Sequence, residues 1–404
     1  MIIFFKKIID VIKTEPAPKG EGHFLFKVSE KYNQNLFIYT SDRITFNKTC
    51  AEIWESDRKV YESVSLETFS DELINFLEDF IFTEKTITEK DVSLFLGKFI
   101  LLPNIEWLII KPLYGAEFDD KTDPIELGDF VIYKKAIHKD LISLQSPYID
   151  SSTIWDELDS EYTDLLITTT VTSRYSDLAV SIAEVKFNEF ENVMRYMIGR
   201  QTIFNVSVLD THSMRENHTY IFSEANALRN ISSQGVFSNI QLNNYFISEQ
   251  NGNNSIWEKM KLSSKTDIDR RIISAVIWIG KGLKEKDYTN SFIQYIFALE
   301  ALFMFQSKNV LVNPSIANQL AEFSSFILGS DVESRMDVMK KVKSMYQIRS
   351  AIAHGGAKNV TLKDSIDSYR LIKRILTSLL TDPELKLITN IENLQKWVDN
   401  KKFS

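Results

Sequence analysis

From Phe292 to Phe305 the chain reads FIQYIFALEALFMF, and Glu300 is the only charge in that run. A segment apolar nearly all round has no face to give to water, so it belongs at the centre of a helical bundle or in a subunit interface. The apolar stretch 291–305 is too short to span a bilayer and also carries Gln294. The sequence around it must therefore supply partners. Apolar residues recur at helical spacing over 267–284, 287–306, 314–328, 331–354, 361–380 and 383–399, which predicts a bundle of six helices.

Upstream the periodicity changes. HFLFKVSE, NLFIYTS and RITFN read as a strand meander, and LFLGKFILL, EWLIIKPLYG, GDFVIYKK, LLITTTVTS, FNVSVLD and HTYIFSE read as further strands. Two helices interrupt them, at 66–82 and 187–198. EQNGNNS, at 249–255, is the most loop-like stretch. The expected fold class is α+β and multidomain: a strand-rich mixed domain over 1–248, with room for two subdomains, a linker over 249–264 and an all-α domain over 265–404.

Composition narrows the setting. A chain of 404 residues with 44% apolar and 25% charged residues is a folded protein with a sizeable core. Cys50 stands alone, which rules out an intrachain disulfide and fits a reducing, cytoplasmic location. MIIFFKKIIDVIK lacks the long apolar core and cleavage site of a signal peptide. No membrane association is expected. The net charge of -8 hides an asymmetry. Residues 256–404 carry 23 Lys+Arg against 16 Asp+Glu, leaving 24 against 39 before them, so a basic C-terminal part follows an acidic one. A basic domain suits a polyanion such as RNA, though a solvated surface accounts equally well for the charge.

The helix expected over 331–354 carries the candidate chemistry. Ser330 and Glu333 have capping-box spacing at its start, and Val338, Val342, Met345, Ile348 and Ile352 form its apolar stripe. Gly355-Gly356 supplies the left-handed backbone on which helices end. Arg349 and His354 then fall in the last turn, and their separation of five residues sets them about 140° apart around the axis. Ser350, Ala351 and Ala353 leave a small surface there that lets another backbone approach.

Arg349-Ser-Ala-Ile-Ala-His354, an R-x4-H string closing a long helix, resembles the signature of the HEPN superfamily of helical ribonucleases. FIQYIFALEALFMF, IANQLAEFSSFIL and YQIRSAIAHGG resemble in order and spacing the ApeA-like HEPN group of bacterial anti-phage proteins. The matching part covers roughly residues 265–380. The resemblance implies a metal-independent endoribonuclease without cofactor that acts in abortive infection on tRNA or mRNA. It also implies a homodimer or higher homo-oligomer formed through the HEPN domain, with a phage-derived trigger acting on the N-terminal domain.

The residue chemistry fits that expectation. Cleavage through the 2'-hydroxyl needs an acid and a base, and an imidazole with a pKa of about 6.5 can serve as either. It also needs a fixed positive charge on the phosphorane, which the planar guanidinium of Arg349 can supply. The products would be a 2',3'-cyclic phosphate and a 5'-hydroxyl. The competing structural roles are an ion-paired Arg349 and a His354 that caps a helix C-terminus. Glu300, a lone charge in an apolar helix, needs a partner, and Arg349 is the obvious one; Glu300 would then orient the guanidinium. Tyr346 is expected either to pack in the core or to stack on a base. Ser350 stands where many HEPN motifs have a larger polar residue, leaving fewer groups to hold substrate.

Three weaker patterns complete the reading. Asp177 with Glu184-Val-Lys186 has the acid and E-x-K order of metal-dependent nucleases, but an alternating exposed strand looks the same. His212 and His218 lack the further ligands a zinc site needs. Gly280-Lys281-Gly282 lacks the spacing of a phosphate loop and reads as a helix end.

Overall fold

The computed structural model describes residues 1–15, 24–28, 37–118, 123–137, 163–201, 203–208, 216–222, 227–233, 238–305, 315–355 and 359–403. The fold is mixed α and β and mostly helical, and divides into two compact units. Unit 1 comprises Met1–Ile109 and Thr170–Glu184; unit 2 comprises Ile110–Thr169 and Val185–Ser404.

Unit 1 holds helices α1 (Ile2–Val11), α2 (Arg43–Ser56), α3 (Arg58–Tyr61), α4 (Leu66–Thr83) and α5 (Glu89–Leu101). A small antiparallel sheet joins them, in the order β1 (Ile12–Glu15), β3 (Phe37–Thr40), β2 (Phe24–Val28), with Ile12 opposite Thr40 and Phe24 opposite the same residue from the other side. The strand-rich reading fails here. RITFN, expected as a strand, opens α2, because Asp42 accepts the Thr45 amide hydrogen and Phe46, Thr49, Cys50 and Ile53 bury one helical stripe. LFLGKFILL lies in α5, which begins with a Thr88–Asp91 capping box and buries Val92, Phe95, Leu96 and Phe99. Both runs are apolar enough to read as strands, and the caps decide otherwise. The core is rich in phenylalanine: the Phe95 ring stacks on Phe76 at 4.6 Å and meets Phe5 and Phe99 edge-on.

A four-stranded sheet has the order β4 (Ile105–Leu113), β8 (Leu165–Ser173), β7 (Phe130–Lys134), β6 (Ile125–Leu127), with β7, β6 and the parts of β4 and β8 from Ile110 to Thr169 in unit 2; unit 2 also holds a parallel pair of β5 (Ala116–Glu117) with β11 (Ile240–Gln241). β7 and β8 are antiparallel, from Phe130 opposite Thr169 to Lys134 opposite Leu165. A hairpin of β9 (Glu216–Phe222) and β10 (Ala227–Ser233) stands apart in the pairing. Strands β4 and β8 and helix α6 (Ser176–Ile198) each run across the boundary between the units.

Five of the six expected helices are present with nearly the expected bounds: α8 (Asp267–Lys284), α9 (Tyr288–Phe303), α10 (Ile316–Leu328), α11 (Val332–Ala353) and α12 (Leu362–Thr381); the sixth, expected over 383–399, is α13 (Ile391–Phe403), preceded by a short 3-10 turn at Leu385–Leu387. The expected linker is not loop throughout, for Asn253–Lys261 form helix α7, whose Trp257 is buried against the Phe190 ring and donates to the Phe246 carbonyl at 2.9 Å. Helix α9 packs against α8, α10, α11 and α12, which gives its apolar circumference partners on several sides. Gly280-Lys281-Gly282 lies inside the last turns of α8 and lets helices touch: a Cβ on Gly280 would stand 2.2 Å from the Asn192 carbonyl oxygen of α6.

Candidate active site

Helix α11 sets the site. Its N-cap is Asp331 rather than Ser330: the Asp331 carboxylate accepts the Ser334 amide hydrogen at 2.8 Å, and the Ser334 hydroxyl accepts from the Asp331 amide at 3.2 Å. The capping box is thus one residue later than expected, and Ser330 instead donates its hydroxyl to Asp331 at 3.1 Å. Val338, Val342 and Met345 are buried, while Ile348 and Ile352 are half-buried as the helix runs outward. The helix stays regular through Ala353. His354 is its C-cap, donating its amide to the Ser350 carbonyl at 3.1 Å, and Gly355 follows with φ of 75°, the left-handed turn expected of it.

Arg349 meets Glu300 of α9, with Nε 3.3 Å from Oε1, so the expected pairing is present. The two side chains are 27% and 14% exposed, which makes this a mostly buried ion pair. The pair lacks hydrogen-bond alignment, and Glu300 Oε1 has no hydrogen bond among the described residues. Burial pushes the Glu300 carboxyl above its ordinary range, and the charge of Arg349 pulls it back. The guanidinium also lies near two rings, 5.5 Å from the centroid of Phe297 and 5.9 Å from that of Tyr346. Burial, then the neighbouring Glu300, pushes the Tyr346 hydroxyl up.

The structure therefore brings Glu300, Arg349 and Tyr346 together and adds Phe297, a residue the sequence did not single out. Phe297 sits three residues before Glu300, so it shares Glu300's face of α9, and that spacing was visible. His354 is exposed and stands apart from them: among the described residues no hydrogen bond, ion pair or ring stacking joins it to Arg349. Ser350 is half-buried, and its carbonyl oxygen accepts from His354. Such an arrangement fixes one cation in a low-dielectric corner and leaves an imidazole in solvent at the helix end. The Nε side of Arg349 faces Glu300, and the guanidinium has further donors, which match phosphate geometry, on its two terminal nitrogens.

The rival metal pattern does not assemble. Asp177, Glu184 and Lys186 all lie on helix α6, where residues two apart point about 200° from each other. Asp177 instead accepts the hydroxyls of Ser65 and Thr68, and Lys186 pairs with Asp129 at 3.3 Å. Among the described residues no group of three or more His, Cys, Asp or Glu side chains could hold a metal. His212 lies outside the described residues, and His218 falls on strand β9, of which only the backbone is described.

A second polar feature was not foreseen from the sequence. Arg370, Lys373 and Arg374 share one face of α12 and line a cavity of about 530 Å³. Their spacing of three and four residues was legible; the cavity was not.

The class these features define is a mixed α and β protein, mostly helical, with a buried Glu300–Arg349 pair beside an exposed helix-capping histidine. Among the described residues no helix is long and apolar enough to cross a membrane. Compared with known proteins, the chain matches no protein family, no curated protein and no solved structure.

Proposed function

We propose that this protein is a metal-independent endoribonuclease of the HEPN type, working in the bacterial cytoplasm in anti-phage defence by abortive infection. The observation that carries the reading is the Arg349 corner. A guanidinium is held by Glu300 near Phe297 and Tyr346, one turn before a helix end capped by an exposed histidine. The R-x4-H resemblance supplies the reaction class. Arg349 would stabilise the phosphorane oxygens, and His354 would move the proton of the 2'-hydroxyl or of the leaving 5'-oxygen.

Because α11 is unbroken between the two residues, one chain aims them in different directions. A two-fold pairing of chains brings the same surface of each copy together, so that Arg349 of one copy and His354 of the other can face one phosphate. RNA, as tRNA or mRNA, is the substrate of this reading, a second copy of the chain is the partner, and the N-terminal part of the chain, residues 1–248, would receive the phage trigger.

The test is incubation of the full-length protein with total RNA and tRNA in EDTA, wild type beside His354→Ala. Fragments with 2',3'-cyclic phosphate ends are expected from the wild type, and the substitution should slow their formation about 10²-fold or more. Equal cleavage by the two proteins would sink the proposal. Mixing Arg349→Ala with His354→Ala protein then checks the pairing, since activity should reappear only if the residues act across two copies.

One observation favours a second reading, a non-catalytic HEPN module for dimerisation or RNA binding. The buried pairing of Arg349 is also what a structural clasp looks like. In that case Arg349→Ala lowers stability, and no RNA is cut by any form of the protein.

A further inference from the structure

Among the described residues, the lining of the cavity on α12 carries three cations and no acid. That lining consists of Tyr369, Arg370, Lys373, Arg374, Thr377 and Ser378 from α12, with Ile327 and Leu328 at the end of α10. Positions 370, 373, 374, 377 and 378 form one helical face, so the charges are stacked within about a turn and a half of each other. Like charges at such spacing repel. Elsewhere on this helix that cost is met internally, since Lys363 pairs with Asp367 at 2.8 Å. Arg370 and Arg374 are exposed and form no ion pair among the described residues.

Lys373 is fixed rather than free. Its Nζ donates to the Tyr196 carbonyl oxygen at 3.1 Å, at the C-terminal end of α6 where the helix dipole favours a cation. It lies 5.1 Å from the Tyr196 ring centroid and 5.7 Å from that of Tyr369. Gly199, with φ of 75°, makes room for the Tyr369 hydroxyl, since a Cβ there would stand 2.7 Å from its oxygen. Among the described residues one of the three ammonium donors of Lys373 is used, which leaves two for a ligand. Burial pushes the ammonium below its ordinary range, with no carboxylate among the described residues to counteract that.

We propose that this cavity binds a phosphate ester of nucleotide size, its phosphoryl oxygens held by Arg370, Lys373 and Arg374 and its flat portion lying along Ile327, Leu328 and Tyr369. The guanidinium forks match phosphate geometry, the volume falls in the range of small-molecule sites, and the missing counter-charge is the ligand's own. The site is independent of Arg349 and His354, so it stands or falls separately from the nuclease reading. The phosphoryl group can come from a free nucleotide or from an RNA strand.

Calorimetric titration of the full-length protein with inorganic phosphate, adenosine 5'-monophosphate and a short single-stranded RNA distinguishes these sources. The double variant Arg370→Ala/Arg374→Ala is the comparison, because both side chains are exposed and the fold should survive, which circular dichroism verifies. The nucleotide is expected to bind the wild type and to bind the variant about 100-fold more weakly, roughly tenfold for each charge-assisted hydrogen bond removed. Weakening confined to the RNA titration assigns the phosphoryl group to a strand and also upholds the site. Binding unaffected by the double substitution, or no binding of any of the three probes to the wild type, overturns it.

Discussion

At the scale of single residues, the buried Glu300–Arg349 pair makes stability depend on pH in a defined direction. Burial raises the Glu300 carboxyl in the folded protein, so this group favours folding below the ordinary carboxylate range and costs stability as pH rises through its folded value. Arg349 offsets that cost. Arg349→Met should therefore destabilise the protein by about 1–3 kcal/mol at neutral pH, and the loss should shrink at an acidic pH, where Glu300 takes up a proton. Urea denaturation at the two pH values measures this; a loss that does not change with pH would show that poorer packing, not charge, is the cause. Cys50 gives a second residue-level expectation. Its thiol is buried in unit 1 and pushed up to about 12 by that burial, so maleimide labelling should proceed no faster than unfolding. The pairing of Glu300 was legible in sequence because a lone carboxylate in an apolar helix must find a cation. The exposure of His354 was legible from Gly355. The Asp331 cap was not, since Ser330 and Asp331 are both good caps and local geometry chose between them.

Elements were legible where one periodicity ran long enough. Five of the six C-terminal helices and β8 have boundaries close to those expected, α13 begins eight residues later than its periodicity predicts, and α2, α5 and the first half of α6 are helices where the sequence suggests strands. The signal that would have corrected the reading was present. Ala179, Ala183 and Phe187 of α6 are all buried at a spacing of four, and Val92, Phe95, Leu96 and Phe99 of α5 follow the helical pattern. β-branched and aromatic residues within these runs masked it. Glycine placement separates two kinds of helix interior and yields a paired prediction. Gly97 of α5 has nothing within 4 Å of a notional Cβ, so Gly97→Ala should stabilise the protein by up to about 1 kcal/mol through helix propensity. Gly280→Ala would collide with the backbone of Asn192 and should cost about 2 kcal/mol or more despite the same propensity gain. Shifts of opposite sign in the denaturation midpoint check both at once; two stabilising substitutions would mean that α6 and α8 do not touch at Gly280.

At the scale of the whole molecule, the expected boundary near residue 249 and the observed units differ, because packing gathers sheet, α6 and bundle into one body that no local sequence signal announces. Trp257 seals against Phe190, Gly280 against Asn192, and Lys373 against Tyr196. Residues 265–404 produced alone would be without all three partnerships. That fragment should show a broad, low thermal transition by circular dichroism, and a sharp melt matching that of the full chain would show that the bundle is self-sufficient. Assays of any activity of the bundle therefore belong on the full-length protein. The interleaved chain path has one more consequence, for synthesis. Unit 1 is complete in sequence once residue 184 has left the ribosome, while the strands of unit 2 between Ile110 and Thr169 must wait for the helices that follow Val185. Domains tend to fold in the order in which they are made. Any activity housed in unit 2 is thus born last, after the chain that makes unit 1 is already whole, so a growing polypeptide passes through no stage at which the bundle is finished and unit 1 is still missing.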